Sequence, residues 1–430
     1  MRDLLVFWSP LASTWLMMAF EGPFLAAIIA RLAEPKINLA AFGVSYAIAM
    51  IVEAPVIMML SAATALAEDR RSFVRLRRFT YALNGAATLV MLVLLVPFVF
   101  DGWARGLIGL PDSVANLTWA SLVLLLPWPG AIGYRRLYQG VMIRRDQTRR
   151  VAYGTVVRLA AMTAMAVAAS WATDIPGSWV GAAALAAGVS AEALASRVMA
   201  RGAVRAVCGE TARSGELTYP FIVRFYVPLA LTSFIGLASQ PVTTFFMGQA
   251  LFPLESLAVL PVVISLVFIF RSLGLAYQDV AITFLARDEA HTGAVLRFAA
   301  WLAAAATLGM AAIAFTPLSG VWFGTISGLS IELIFFALPP TRIMVLLPAM
   351  SVALSLQRAI LVHGRTTRPV TVATALEMTV IVAVLLLTIQ GLGMVGATAA
   401  AIAFVLGRAS SNLFLVPPCL DVLRAPPFRP

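Results

Sequence analysis

Cysteine, histidine, lysine and charge are all scarce in this chain. Its 430 residues hold two cysteines, Cys208 and Cys419, and two histidines, His291 and His363, all far apart in sequence. That spacing matches no disulfide framework and no zinc pattern. Of the 31 basic residues only Lys36 is a lysine, and no glycine-rich loop precedes it, which excludes nucleotide hydrolysis by a phosphate loop. No nucleophile–base pair falls in a loop, so we expect neither enzymatic chemistry nor a bound cofactor. Charged residues make up 12% of the chain against 61% hydrophobic, too few to cover a soluble globule. With a mean hydropathy of +0.92 the sequence reads as an all-α, polytopic membrane protein in a lipid bilayer. The net charge of +11 lies in short gaps between apolar runs and forms no continuous face. This pattern sets topology and argues against nucleic acid as a partner.

What is present is a repeated hydrophobic design. Leu39 to Ala67 is a membrane-spanning run with Glu53 near its middle and Pro55 two residues later. It returns 218 positions on as Leu257 to Leu285, with Arg271 where Glu53 stood. Phe7-Trp8-Ser9-Pro10-Leu11-Ala12 matches Phe225-Tyr226-Val227-Pro228-Leu229-Ala230 at the same offset, and Pro23 matches Pro241. Further on the offset is 219, so that Trp103, Gly109 and Leu137 match Trp322, Gly328 and Leu356. Six helices per half predict twelve, in two lobes related by a pseudo-twofold axis: residues 1–200, a cytoplasmic linker over 201–218, and residues 219–430. Proline removes a backbone donor, so a bend is expected near Pro23. A third helix is expected over 78–100 after a basic loop, and an interfacial segment over 101–115.

The N-terminus, the even-numbered loops and the tail hold twenty-one basic residues, and the odd-numbered loops hold only Arg31, Lys36 and Arg105. Both termini are therefore expected in the cytoplasm, with the chain in the inner membrane of a cell. Arg135, Arg136 and Arg408 are expected to snorkel to the interface. The deep charges are the candidate site: Glu53 maps onto Arg271 and Arg158 onto Glu377. The two inversions suggest ion pairs between the lobes, as structural clasps or as gates lining a central cavity. Arg342 is a deeper arginine. Gly236, Ser239, Gln240 and Thr243 form a small polar stripe at helical spacing, read either as cavity lining or as small-residue packing. Glu21, beside the Pro23 bend, and Glu53 are candidates for coupling to H+ or Na+.

Three stretches carry a family resemblance: Leu39 to Pro55, Phe225 to Phe246 and Pro340 to Leu354. With the two lobes and the proline-bent first helix, they resemble the multidrug/oligosaccharidyl-lipid/polysaccharide (MATE-like) exporter superfamily, and within it the progressive ankylosis family. The resemblance implies a secondary-active exporter working by alternating access on anions such as citrate or pyrophosphate. Independently, deep arginines outnumber deep glutamates, which favours an anionic small molecule. Two alternatives stay open: a multidrug cation/proton or sodium antiporter, and a flippase for a lipid-linked precursor. A monomer is expected.

Overall fold

A computed structural model describes residues 2–145, 147–171, 175–210, 217–287, 292–363, 366 and 368–424. Its helices are α1 (Arg2–Ala19), α2 (Glu21–Ile29), α3 (Pro35–Ile57), α4 (Met59–Leu66), α5 (Arg70–Leu95), α6 (Pro97–Phe100), α7 (Asp112–Leu124), α8 (Pro127–Arg144), α9 (Thr148–Ser170), α10 (Gly177–Met199) and α11 (Arg201–Gly209). Then follow α12 (Tyr219–Leu237), α13 (Ser239–Gly248), α14 (Pro253–Arg287), α15 (Thr292–Phe315), α16 (Leu318–Gly320), α17 (Ile331–Ile343), α18 (Leu347–His363), α19 (Arg368–Leu385) and α20 (Gly396–Arg424). Eleven helical stretches among the described residues are long and apolar enough to cross a membrane. The remaining expected span is the α12–α13 pair.

Prolines set the helix breaks by one rule. A proline ring clashes with the carbonyl four residues before it. For Pro23 that residue is Ala19, where α1 ends, and for Pro241 it is Leu237, where α12 ends. Pro129 and Pro348 act in the same way on Leu125 and Met344, the first residues past α7 and α17. The bend expected near Pro23 is thus present. Gly109 and Gly328 both adopt left-handed backbone, with φ of 78° and 72°. Each ends the turn that follows a short π-helical stretch, Asp101–Ile108 or Val321–Ile326, and only glycine enters that region without cost.

Two expected boundaries change. The basic stretch after α4 is helical from Arg70, because the Asp69 carboxylate accepts from the Ser72 backbone N–H at 2.8 Å and the Ser72 hydroxyl caps Asp69 in return. The expected linker begins as helix α11, which buries Ala203 and Val207. Residues 211–216 of that linker lie outside the described residues.

The compact units also cut the chain differently from the two expected lobes. One, called here the C-terminal unit, comprises Met1–Arg31 with Phe246–Pro430; the other, the N-terminal unit, comprises Leu32–Phe245. The first helix of each half therefore packs with the other half's helices. In the C-terminal unit the Trp8 indole donates to the Leu273 carbonyl at 3.2 Å and meets the Phe298 ring edge-on at 5.8 Å. In the N-terminal unit the Tyr226 hydroxyl donates to the Pro55 carbonyl, and its ring meets Phe79 edge-on at 5.3 Å. Tyr226 lies 218 residues after Trp8, Leu273 lies 218 after Pro55, and Phe298 lies 219 after Phe79. One aromatic donor, one carbonyl at a proline-loosened or equivalent turn and one phenylalanine are used twice. Leu4, 1% exposed, and Ile222, fully buried, anchor the same helices in the two apolar cores.

Replacing Trp8 or Tyr226 by Phe removes the donor and keeps most of the packing. Each variant should lose about 1 kcal/mol of stability, with additive effects because the contacts lie in separate units. Thermal unfolding of the purified single and double variants measures this, and a double variant as stable as the wild type would show that the bonds hold nothing.

Candidate functional site

Each unit holds one group of interior charges, most of them buried in the N-terminal unit and half-buried in the C-terminal unit. In the N-terminal unit it is built by α3, α8, α9 and α10. Glu53, 3% exposed, accepts a hydrogen bond from the Trp128 indole. Glu192, 1% exposed, is the hub: Arg135 pairs with its carboxylate, Gln139 donates to it at 2.9 Å, and Arg158 stands 4.0 Å away. Arg135 and Gln139 are four residues apart on α8, so both face α10. The Arg158 guanidinium also lies 5.9 Å from the centre of the Trp128 ring, an electrostatically favourable position over an aromatic face. Three guanidiniums, counting Arg136, meet two carboxylates here. The Nε atoms of Arg135 and Arg136 and the Oε1 of Gln139 are buried with no hydrogen-bond partner.

The C-terminal unit repeats the arrangement on α14, α18, α19 and α20 with other residues. Arg408 pairs with Glu377 at 2.8 Å, both about 15% exposed at the side chain. Arg271 donates through Nε to the Ser351 hydroxyl at 2.9 Å. The charges of Arg408 and Glu377 act on both Arg271 and Arg358. Arg358 makes no hydrogen bond or ion pair among the described residues, and its Nε is buried without a partner. Three guanidiniums here meet one carboxylate.

Within its own unit each of these four residues has a neighbour: Trp128 for Glu53, Ser351 for Arg271, Glu192 for Arg158 and Arg408 for Glu377. Arg135, expected at the interface, is 5% exposed because Glu192 holds it inside, and Arg408 is held in by Glu377. Arg342 is exposed, with its guanidinium 5.9 Å from the centre of the Phe315 ring and its Nε donating to the Ala314 carbonyl at 3.3 Å, where a cation suits the C-terminal end of α15. In the polar stripe, Ser239 donates to the Gly236 carbonyl at 3.2 Å and Thr243 to the Ser239 carbonyl at 2.7 Å. Both hydroxyls are thereby satisfied by their own helix, and Gln240 beside them is half-buried. Glu21 is buried as the first residue of α2 in the C-terminal unit, where a carboxylate suits the helix N-terminus. There Gly22 admits close approach, since a Cβ would fall 2.9 Å from that of Ser265.

Sequence reasoning missed Trp128, Gln139 and Arg358, and it assigned Glu192 no partner. One signal could have found Arg358: it stands 219 residues after Gln139, so it belongs to the deep group and not to a loop. Among the described residues no three of His, Cys, Asp and Glu gather where they could hold a metal ion.

No protein-family model and no curated protein matches the sequence, yet the fold matches solved structures over nearly the whole chain. It is similar to the lipid II flippase MurJ in its inward closed conformation, with a TM-score of 0.71, 12% identity, and coverage of 97% of this chain and 89% of that one. Similar too is a multidrug resistance MATE family transporter in an inward-facing conformation, at 0.67 and 13% identity, covering 95% and 94%. A third is a MOP superfamily transporter from Pyrococcus furiosus with a binding pocket of reverse polarity, at 0.63 and 12% identity, covering 98% and 96%. The chain is thus an all-α, multi-pass membrane protein with the MATE-like fold.

Removing Glu192 leaves two buried guanidiniums without their carboxylate. Glu192→Gln should therefore cost about 3–5 kcal/mol of stability, whereas Glu53→Gln keeps an acceptor for Trp128 and should cost far less. Thermal unfolding in detergent compares them, and equal losses would show that Glu192 is not the hub.

Proposed function

We propose that the protein is a secondary-active exporter of a small organic or phosphate-containing anion, working by alternating access from the inner membrane with both termini in the cytoplasm. The observation that carries this reading is the excess of guanidinium over carboxylate among the interior charges: three against two in one unit, where Arg135 and Arg158 are buried, and three against one in the other, where all are half-buried. A buried arginine is matched in geometry and charge by carboxylate or phosphate oxygens. The resemblance to the progressive ankylosis family points to citrate-like or pyrophosphate-like cargo. A MOP-superfamily protein with a pocket of reverse polarity supports the idea that this fold accommodates cargo of the opposite charge. Glu53 and Glu21, both buried, are the proposed coupling carboxylates for H+ or Na+.

The same buried carboxylates favour a second reading, a multidrug cation antiporter. The fold likeness to a lipid II flippase keeps a lipid-linked precursor as a third cargo. Proteoliposomes loaded in turn with citrate, pyrophosphate and a lipophilic cation dye separate these readings, with a fluorescent polyprenyl-diphosphate lipid as the fourth probe. Anion efflux is expected, reduced at least about tenfold, or roughly 1.4 kcal/mol, by Arg271→Ala. Movement of the dye alone, lost with Glu21→Gln and untouched by Arg271→Ala, would establish the antiporter instead.

A further inference from the structure

The two charge groups lie on equivalent helices of the repeat and share four positions, while Arg135 and Arg136 give way to Leu354 and Ser355 and Arg408 stands where the first half has Val189. Glu53 becomes Arg271 at an offset of 218, while at 219 Glu192 becomes Ser411, Gln139 becomes Arg358 and Arg158 becomes Glu377. The second half has thus lost both carboxylates of the first and regained one. The hub is what disappears. Glu192 holds Arg135, Arg158 and Gln139 in the N-terminal unit, whereas its equivalent Ser411 is a neutral side chain, 1% exposed. In the same unit Arg271 has a neutral hydroxyl for a partner, Arg408 pairs with the one carboxylate, and Arg358 has no hydrogen bond or ion pair among the described residues. Guanidiniums half-buried among apolar helices are costly unless something supplies the missing negative charge.

We propose that an oxyanion carrying two negative charges binds the Arg271–Arg358–Arg408 group and takes the part that the Glu192 carboxylate plays in the other half. The charge follows from the count: three guanidiniums less Glu377 leave two positive charges. The chemistry follows from the donors, since guanidinium groups match paired oxygens of carboxylate or phosphate. Asn412 lies one turn after Arg408, so it shares that face of α20. Its amide N–H donates to the Met350 carbonyl at 2.9 Å, which leaves its Oδ1 buried without a partner and able to accept from a ligand hydroxyl. The inference rests on the anion reading above, and it adds which half of the chain holds the cargo.

The test is binding, read separately from transport. Purified full-length protein in neutral detergent is titrated with sodium pyrophosphate and with sodium citrate, against sodium chloride at equal ionic strength, and thermal unfolding is followed. A saturable upward shift is expected with at least one dianion or polyanion and not with chloride. Arg358→Gln, which restores the residue of the equivalent position, should weaken that binding tenfold or more while the protein folds normally, because Arg358 makes no hydrogen bond or ion pair among the described residues. Ser411→Glu should stabilise the ligand-free protein and abolish the shift. Repeating the titration in nanodiscs with and without cardiolipin distinguishes a lipid phosphate from a soluble anion: protection by cardiolipin alone supports the site and names the headgroup as its ligand. The proposal is overturned if no anion protects the wild type, or if Arg358→Gln is protected equally. Transport without an Arg358 effect would leave the exporter reading standing and remove the site. Binding at this site with no anion transport would do the reverse.

Discussion

Arginine inside a membrane-spanning helix is tolerated only when its charge is answered within reach, because lipid offers no compensation and removing one partner of a buried pair leaves the other uncompensated. Glu192 supplies that answer in the N-terminal unit, drawing α8 and α9 onto α10 through Arg135, Gln139 and Arg158. The helices around it are otherwise rich in alanine and glycine, so packing contributes contact but little direction. A carboxylate with three donors fixes which faces of these helices meet. The C-terminal unit uses the same frame with a weaker internal answer, the Glu377–Arg408 pair. The asymmetry between the two is chemical, and it arose on a shared scaffold.

The repeat was legible because helix breaks and turns are written in residue types with fixed backbone consequences. Pro23 and Pro241 end α1 and α12 four residues earlier, and Gly109 and Gly328 turn the chain at matching points. Hydrophobic length gave the spans. The deep charges were legible as a set, since Glu53, Arg158, Arg271 and Glu377 stand in the middle of apolar runs. Their partners were not, because pairing depends on helix rotation and on which helices are neighbours. Glu53 finds an indole and Arg271 a hydroxyl, neither of which advertises itself as a counter-ion.

Other misreadings share a physical origin. Arg358 lies five residues from the end of α18, so counting charges assigned it to the cytoplasmic side. A guanidinium reaches more than one helical turn, and its position along the helix does not say which way it points. Arg342 has apolar residues around it in sequence, which give no sign that it reaches the C-terminal end of α15. Arg70 to Arg78 read as a loop because of their charge. Asp69 and Ser72 make them the opening turns of a helix.

The exchange of first helices bears on how the protein is made. Met1–Arg31 is made well before the helix it packs on, α14, which begins at Pro253. More than two hundred residues must be synthesised before Trp8 can meet Leu273 or Phe298. During that interval α1 and α2 must reside in the bilayer, or in the insertion machinery, with Glu21 lacking its final surroundings. Tyr226 has no such wait, since Pro55 and Phe79 precede it in the chain. The N-terminal unit can therefore close as soon as α13 is inserted, and the C-terminal unit only after α14 and the helices that follow it. A pair of contacts equivalent in the finished fold is thus unequal in time, and α1, which precedes every helix of the N-terminal unit, belongs to the unit that assembles later.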